Sequence, residues 1–265
     1  MADGPMHPAL RCENLHRRFG GLQAVAGASF EIEPASITAL IGPNGAGKTT
    51  IFNLLSGHDR PDEGRIWIDG QRAENLPAHR IAGELRLART FQTIRLFPAL
   101  SVLENVRIGC HSRSRGEFLA SILKPAWVRR EEERVRAAAL AWLEFVGLSK
   151  RRDAVAEALS YGEQRLVEIA RALALEPRCL LLDEPAAGLN PTESDTLAAL
   201  IEKVRGRGIT VLLVEHKMDL VMRVSRQVIV LNFGQVIASG NPAAVQADPR
   251  VIEAYLGKGA SHSEA

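Results

Sequence analysis

Cysteine is scarce in this chain of 265 residues, and what there is does not cluster. Cys12, Cys110 and Cys179 lie far apart without a C-x-x-C spacing. That excludes a disulfide framework or a cysteine zinc site and reads as small hydrophobes in a reducing compartment. A surplus of one charge is also missing: 33 basic residues face 31 acidic ones, a net +2, so no strong field directs the chain to nucleic acid or to an acidic membrane surface. Long apolar runs are absent. ITVLLV at 209–214 is among the longest and falls far short of the ~18–20 residues of a spanning helix. The N-terminal MADGPMHPAL carries an early acid and two prolines without an apolar core, so no secretory signal is expected. Internal repeats and low-complexity tracts are lacking too. The length allows one large or two small domains, burying roughly 70–75% of the unfolded surface.

What is present is an alternation of short β-branched runs with helical stretches. Strand-like segments fall at ALRCENL, AVAGASFEIE and SITALI, with a turn at Phe19-Gly20-Gly21 between the first two. Gly57 is placed to end a helix, and PDEG at 61–64 turns into RIWIDG. RCLLLD at 178–183, ITVLLV at 209–214 and QVIVL at 227–231 suit buried parallel strands, which predicts an α/β fold with a mostly parallel sheet covered on both faces. From about 100 to 160 the period becomes helical, with Val135, Ala139, Trp142, Leu143 and Val146 on one face. The charged RREEER at 129–134 reads as a solvated helix start, the Ser-Arg-rich 113–116 as a flexible loop, and the final GKGASHSEA as a frayed tail.

Residues 42–50 read GPNGAGKTT, between SITALI and the helix-like TTIFNLLS. This is a Gly-x4-Gly-Lys-Thr phosphate loop in its strand–loop–helix context. Gly42, Gly45 and Gly47 let the backbone aim its N–H groups at phosphate oxygens where a Cβ would intrude, and Pro43, Asn44, Ala46 and Thr50 complete the stretch assigned to the nucleotide. The helix that follows presents its positive end to the same anion. Lys48 reaches the β- and γ-phosphates and the Thr49 hydroxyl sits on Mg²⁺. A nucleoside triphosphate with Mg²⁺ is therefore the expected ligand.

Further motifs follow in order: FQTIRLF at 91–97, LSYGEQRLVEIARAL at 159–173, CLLLDEP at 179–185 and LLVEH at 212–216. Asp183, ending a buried strand beside the phosphate loop, is placed to hold Mg²⁺. Glu184 is expected on the opposite face of the strand end, where it can polarise an attacking water. Taken singly, a strand-end Asp-Glu can equally be a helix cap, and a lone histidine a surface or core residue. In this order, below a phosphate loop, the motifs resemble the ATPase subunits of ABC transporters from about residue 9 to 256. The resemblance implies a P-loop NTPase fold of ABC type. Its parallel core carries an antiparallel β subdomain (9–98 and 161–256), with an inserted α-helical subdomain at 99–160 and a flexible tail at 257–265. It also implies that His216 contacts the γ-phosphate and that Gln92 approaches Mg²⁺ and the water from the loop joining the lobes. Ser160 and Gly162, with Glu163 beside them, then form a second anion site at a helix N-terminus, facing the γ-phosphate held by another subunit. Phe19 matches the position on which adenine stacks, with a core aromatic beside a turn as the alternative. The chain departs from the family's LSGGQ at Tyr161 and Glu163, and carries Asn190 where many relatives have Asp.

RRFGGLQAV, RTFQTIRLFPALSVLENV, LSYGEQ, EPAAGLNP, EHKMDLVM and VIEAYLG together are similar to the ATP-binding subunit of branched-chain amino acid importers. Such a subunit works as a peripheral protein on the cytoplasmic face of the bacterial inner membrane. Its partners are a second ATPase subunit, identical or not, two integral permease subunits and an external solute-binding protein, with no nucleic acid. The segment 93–98, with Leu96 and Phe97, would touch a cytoplasmic helix of a permease; packing between lobes is the alternative. Systems for urea or short amides and for lipopolysaccharide export share these features. A soluble ABC ATPase of DNA repair or translation is the binding-protein rival, which the lack of heptads and repeats disfavours. A metabolite kinase or GTPase is the rival enzyme, for which no Asn/Thr-Lys-x-Asp guanine motif is found.

Overall fold

The computed structural model describes residues 7–111 and 126–256. The expected loop at 113–116 and the tail at 257–265 lie outside the described residues. The chain opens with β1 (Leu10–Phe19) and β2 (Leu22–Ile32), a hairpin in which Phe19 faces Leu22 across the turn. With β4 (Glu63–Ile68) and β5 (Gln71–Arg72) they form an antiparallel sheet in the order β2-β1-β4-β5. The larger sheet runs β10-β9-β3-β8-β7-β6. Its members are β3 (Ile37–Ile41), β6 (Leu87–Arg89), β7 (Cys179–Asp183), β8 (Thr210–Val214), β9 (Gln227–Asn232) and β10 (Gln235–Gly240). All its pairings are parallel except that of β10 with β9.

Every residue of β3, β7 and β8 is buried. That is why these strands read as unbroken apolar runs: each face of the sheet is covered. Alternation divides their side chains between two cores. Leu40, Leu181, Leu212 and Ile229 pack toward the antiparallel sheet and α1 (Lys48–Leu55). Ala39, Leu180, Leu213 and Val228 pack on the other side, against the long helices. Those helices are α3 (Val102–His111), α4 (Ala126–Phe145), α5 (Tyr161–Leu173) and α6 (Pro191–Gly206), joined by the shorter α7 (Met218–Val224). Short α2 (Ala78–Gly83), α8 (Pro242–Gln246) and α9 (Pro249–Leu256) complete the set.

In the helical middle, Val135, Ala139 and Leu143 of α4 are buried and Trp142 packs against them. Val146 is buried as well but lies past the end of α4, so the periodic pattern runs on into a turn. The charged run 129–134 lies in the first half of α4 and is mostly exposed. The sheet also holds strands that periodicity did not register. β10 returns from β9 through Phe233 and Gly234, both at positive φ, a two-residue hairpin in which phenylalanine stands where a turn former is expected. β6 is three residues long, too short to show a period. Among the described residues no helix is long and apolar enough to cross a membrane.

Candidate active site

The phosphate loop is gripped by backbone on two sides. At Gly42 a Cβ would collide with the Leu231 carbonyl oxygen of β9, and at Gly47 with the Ala24 carbonyl oxygen of β2; both residues have positive φ. Only glycine fits either passage. The β9–β10 turn closes the grip: the Gly234 N–H donates to the Ala46 carbonyl at 2.9 Å, and the Ala26 N–H to the Gly234 carbonyl at 2.9 Å. Because Gly47 is the N-cap, α1 begins with no side-chain cap and no acid in its first turn, which leaves its amide donors to an anion. Lys48 is buried, and its Nζ donates to the carbonyls of Gly42 (2.7 Å) and Pro43 (2.9 Å). Burial pushes the Lys48 pKa down, opposed by the charges of Glu184 and Asp183. Thr49 is exposed on the first turn of α1.

The carboxylates arrive on the strand two places over from β3. Asp183 is buried at the end of β7, with its Oδ2 accepting from Arg89 Nη2 at 2.9 Å. Glu184 stands beyond the strand: its φ of 46° is left-handed, so that kink directs its side chain, in place of the strand alternation expected from the sequence. Its two oxygens meet different loops. Gln92 Nε2 donates to Oε2 at 3.0 Å, and His216 Nε2 lies 3.0 Å from Oε1. Gln92, Glu184 and His216, which come from three separate stretches of the sequence, thus form one hydrogen-bonded group, and the charge of Glu184, with that of Asp183, is felt at Lys48.

Two supporting residues went unnoticed in the sequence. Arg89 donates to Asp183, to Asn53 Oδ1 (2.7 Å) and to Ser56 Oγ (3.1 Å), and lies over the rings of Phe52 and Phe91. Glu215 is buried, and its carboxylate accepts the N–H groups of Ala186 (2.7 Å), His216 (3.0 Å) and Lys217 (3.2 Å). It therefore pins the loop after Glu184 to the loop carrying His216. Glu215 follows the apolar run 209–214, where burial demands a partner, but nothing in the sequence names that partner; Arg89 follows only Leu87-Ala88 and carries no such signal.

The second group of expected residues sits elsewhere. Ser160, Gly162 and Glu163 line a shallow depression of ≈ 200 Å³ with Leu189, Glu193 and Thr196. Ser160 is the N-cap of α5 in a capping box: its Oγ accepts from the Glu163 N–H at 3.2 Å, and the Glu163 carboxylate accepts from the Ser160 N–H at 3.0 Å. That backbone N–H holds the Glu163 carboxyl below its ordinary pKa, with help from Arg151. Ser160 Oγ accepts for the cap while its own O–H also helps hold the Glu163 carboxylate charged. Gly162 is buried against the Glu193 side chain, which also completes a capping box with Asn190 at the start of α6. Tyr161 is exposed, and its ring rests against Gly188. Phe19 is 44% exposed at the end of β1 with the Arg17 guanidinium 4.7 Å from its ring, so it is not a core aromatic. In the segment 93–98, Leu96 packs on the core and Phe97 is exposed.

Among the described residues no group of three or more His, Cys, Asp or Glu could hold a metal. The oxygen donors beside the loop, Thr49, Asp183 and Gln92, fit Mg²⁺, a hard cation that keeps waters and substrate phosphates and needs only one or two protein ligands.

Nucleotide bound at the carboxyl ends of parallel strands, with its phosphates on the first turn of a helix, is the plan of the phosphate-loop nucleoside triphosphatases, and this fold places the chain among them. Residues 25–187 match the ABC transporter family, and residues 235–261 match the family described as branched-chain amino acid ATP-binding cassette transporter. The chain is 45% identical over 252 residues to the high-affinity branched-chain amino acid transport ATP-binding protein BraF of Pseudomonas aeruginosa, covering 95% of this chain and 98% of that one. With the corresponding protein LivG of Escherichia coli (strain K12) it shares 43% over the same proportions. Among solved structures, a nucleotide-free ATP-binding cassette from an ABC transporter superposes with a TM-score of 0.83 at 34% identity, covering 95% of this chain and 100% of that chain. The ADP conformation of another such cassette gives 0.82 at 35%, covering 95% and 99%. The chain belongs to the ATP-binding proteins of the ABC transporter family.

Proposed function

We propose that this chain is the ATP-hydrolysing subunit that energises an ABC importer for branched-chain amino acids. The hydrogen-bonded group Gln92–Glu184–His216 beside the phosphate loop carries the catalytic part of the reading. Residues 42–50 cradle the phosphates, Lys48 neutralises the β- and γ-phosphates, and adenine stacks on Phe19. Thr49, Asp183 and Gln92 would hold Mg²⁺, which when bound supplies charge neutralisation on the transferring phosphoryl group. Glu184 takes the proton of the attacking water, and His216 and Gln92 orient that carboxylate from either side. Ser160, Gly162 and Glu163 of one subunit close on the γ-phosphate held by the other, so hydrolysis and reopening depend on two subunits.

The division of labour follows. Residues 9–98 and 161–256 bind nucleotide, and 99–160 form the lobe that moves on closure. The exposed Phe97, with Leu96 behind it, passes that motion to a permease helix. The chain works with a second ATPase subunit, two permeases and an external binding protein, as a peripheral protein on the cytoplasmic face of the inner membrane.

The test is hydrolysis by the complex reconstituted with its binding protein. Leu, Ile or Val should stimulate turnover, and Glu184→Gln should lower kcat by about 10²-fold or more while leaving ATP affinity intact. A parental rate in Glu184→Gln overturns the base assignment. Stimulation by urea, short amides or nothing in that panel overturns the solute assignment.

A further inference from the structure

Gln92 belongs to no helix or strand, yet its backbone is held from α5. Arg165, fully buried, donates from Nη1 to the Phe91 carbonyl (2.9 Å) and to Glu168 Oε2 (2.7 Å). From Nη2 it donates to the Gln92 carbonyl (3.0 Å) and to the Tyr161 hydroxyl (3.2 Å). Glu168, also buried, accepts the Phe91 N–H at 3.4 Å. The polar groups of two successive residues are thus bound to one turn of one helix. That helix is the one capped by Ser160, about 7.5 Å along the axis from Arg165. The Gln92 side chain, at the other end of the same stretch, donates to Glu184.

Stability alone is a poor account of the pair. A buried ion pair is often no better than apolar residues of the same volume. Here Arg165 Nε is buried without a hydrogen-bond partner, and burial pushes the Glu168 carboxyl up against the pull of Arg165. What an apolar pair could not do is fix direction: a planar guanidinium sets two carbonyls in a defined orientation. The far side of Phe91 is also fixed, its ring meeting His58 edge-on at 5.8 Å and lying beneath Arg89, the partner of Asp183.

We propose that Arg165 and Glu168 are positioning residues for hydrolysis, holding Phe91 and Gln92 so that engagement of the Ser160 end of α5 sets how Gln92 meets Glu184 in the same chain. This rests on the roles given above to Ser160, Gln92 and Glu184. It makes α5 a strut between two nucleotides: one touched at its N-terminus, the other reached through residues 91 and 92.

The experiment uses the complete transporter with ATP and Mg²⁺. Arg165→Lys keeps the charge and loses the fork; the double variant Arg165→Met/Glu168→Leu removes the pair in favour of apolar packing. Both should lose about tenfold to a hundredfold in kcat, the cost of a small misplacement. KM for ATP should stay within about twofold, and the double variant should melt within about 3 °C of the parent or above it. A parental kcat in the double variant, or a kcat loss that only tracks a lower melting temperature, overturns the proposal. Glu184→Gln, run alongside, separates the two readings. If it is inactive while the double variant is parental, only the positioning role falls; if it turns over at the parental rate, the assigned base falls and the positioning role with it.

Discussion

Asp183 shows how much of this site is decided by one partner. Its carboxylate ends a strand with no exposed position, so its charge needs a counter-charge inside the protein, and Arg89 supplies it from β6 across the strand pairing. Replacing Arg89 with Met keeps most of the volume but strands the carboxylate. Breaking a buried pair in this way costs about 3–5 kcal/mol, and at about 2–4 °C per kcal/mol for a chain of this size the melting temperature should fall by roughly 6–20 °C. Calorimetry of the nucleotide-free chain measures it, and a fall under about 3 °C would mean that other groups satisfy Asp183. At this scale the phosphate loop was legible because phosphate chemistry dictates its residue types in one unbroken stretch. Arg89 and Glu215 were not, because their partners are 94 and 29 residues away and are set by topology.

The capping box of α5 serves structure and site together, since Ser160 both caps the helix and faces outward from its end. Glu163→Ala should cost about 1 kcal/mol at pH 7. The Glu163 carboxyl is held below its ordinary value of 4.5, first by the Ser160 N–H, so the folded state favours its charged form. That contribution is complete above the unfolded-state pKa and is lost as pH falls through the lower folded-state value. Urea unfolding of parent and variant at pH 7 and near pH 3.5 should therefore show the gap narrowing in acid; a gap that widened would contradict the assigned direction. Elements defined by a long period, such as α4, or by a doubly buried apolar run, such as β3, β7 and β8, could be read from the sequence. β10 could not, because its hairpin turns on Phe233 at positive φ, and the kink that aims Glu184 is likewise a backbone conformation that residue type does not announce.

At the scale of the whole molecule, the two places assigned to nucleotide are separate: the phosphate loop with its carboxylates, and the depression at Ser160. On the proposed reading two chains placed head to tail would complete both sites at once, and the slow step of Glu184→Gln should trap that arrangement. The Glu184→Gln chain with ATP and Mg²⁺ should then double its mass in light scattering, and with ADP it should not. Adding Ser160→Asp tests where the chains meet. Aspartate caps a helix as well as serine does, so α5 should stay formed. Its charge, however, would face the γ-phosphate of the other chain, a like-charge juxtaposition costing several kcal/mol. The double variant should bind ATP with parental affinity and remain monomeric. A doubled mass in that variant would move the interface away from Ser160, and with it the argument that α5 reports on a nucleotide held by a second chain.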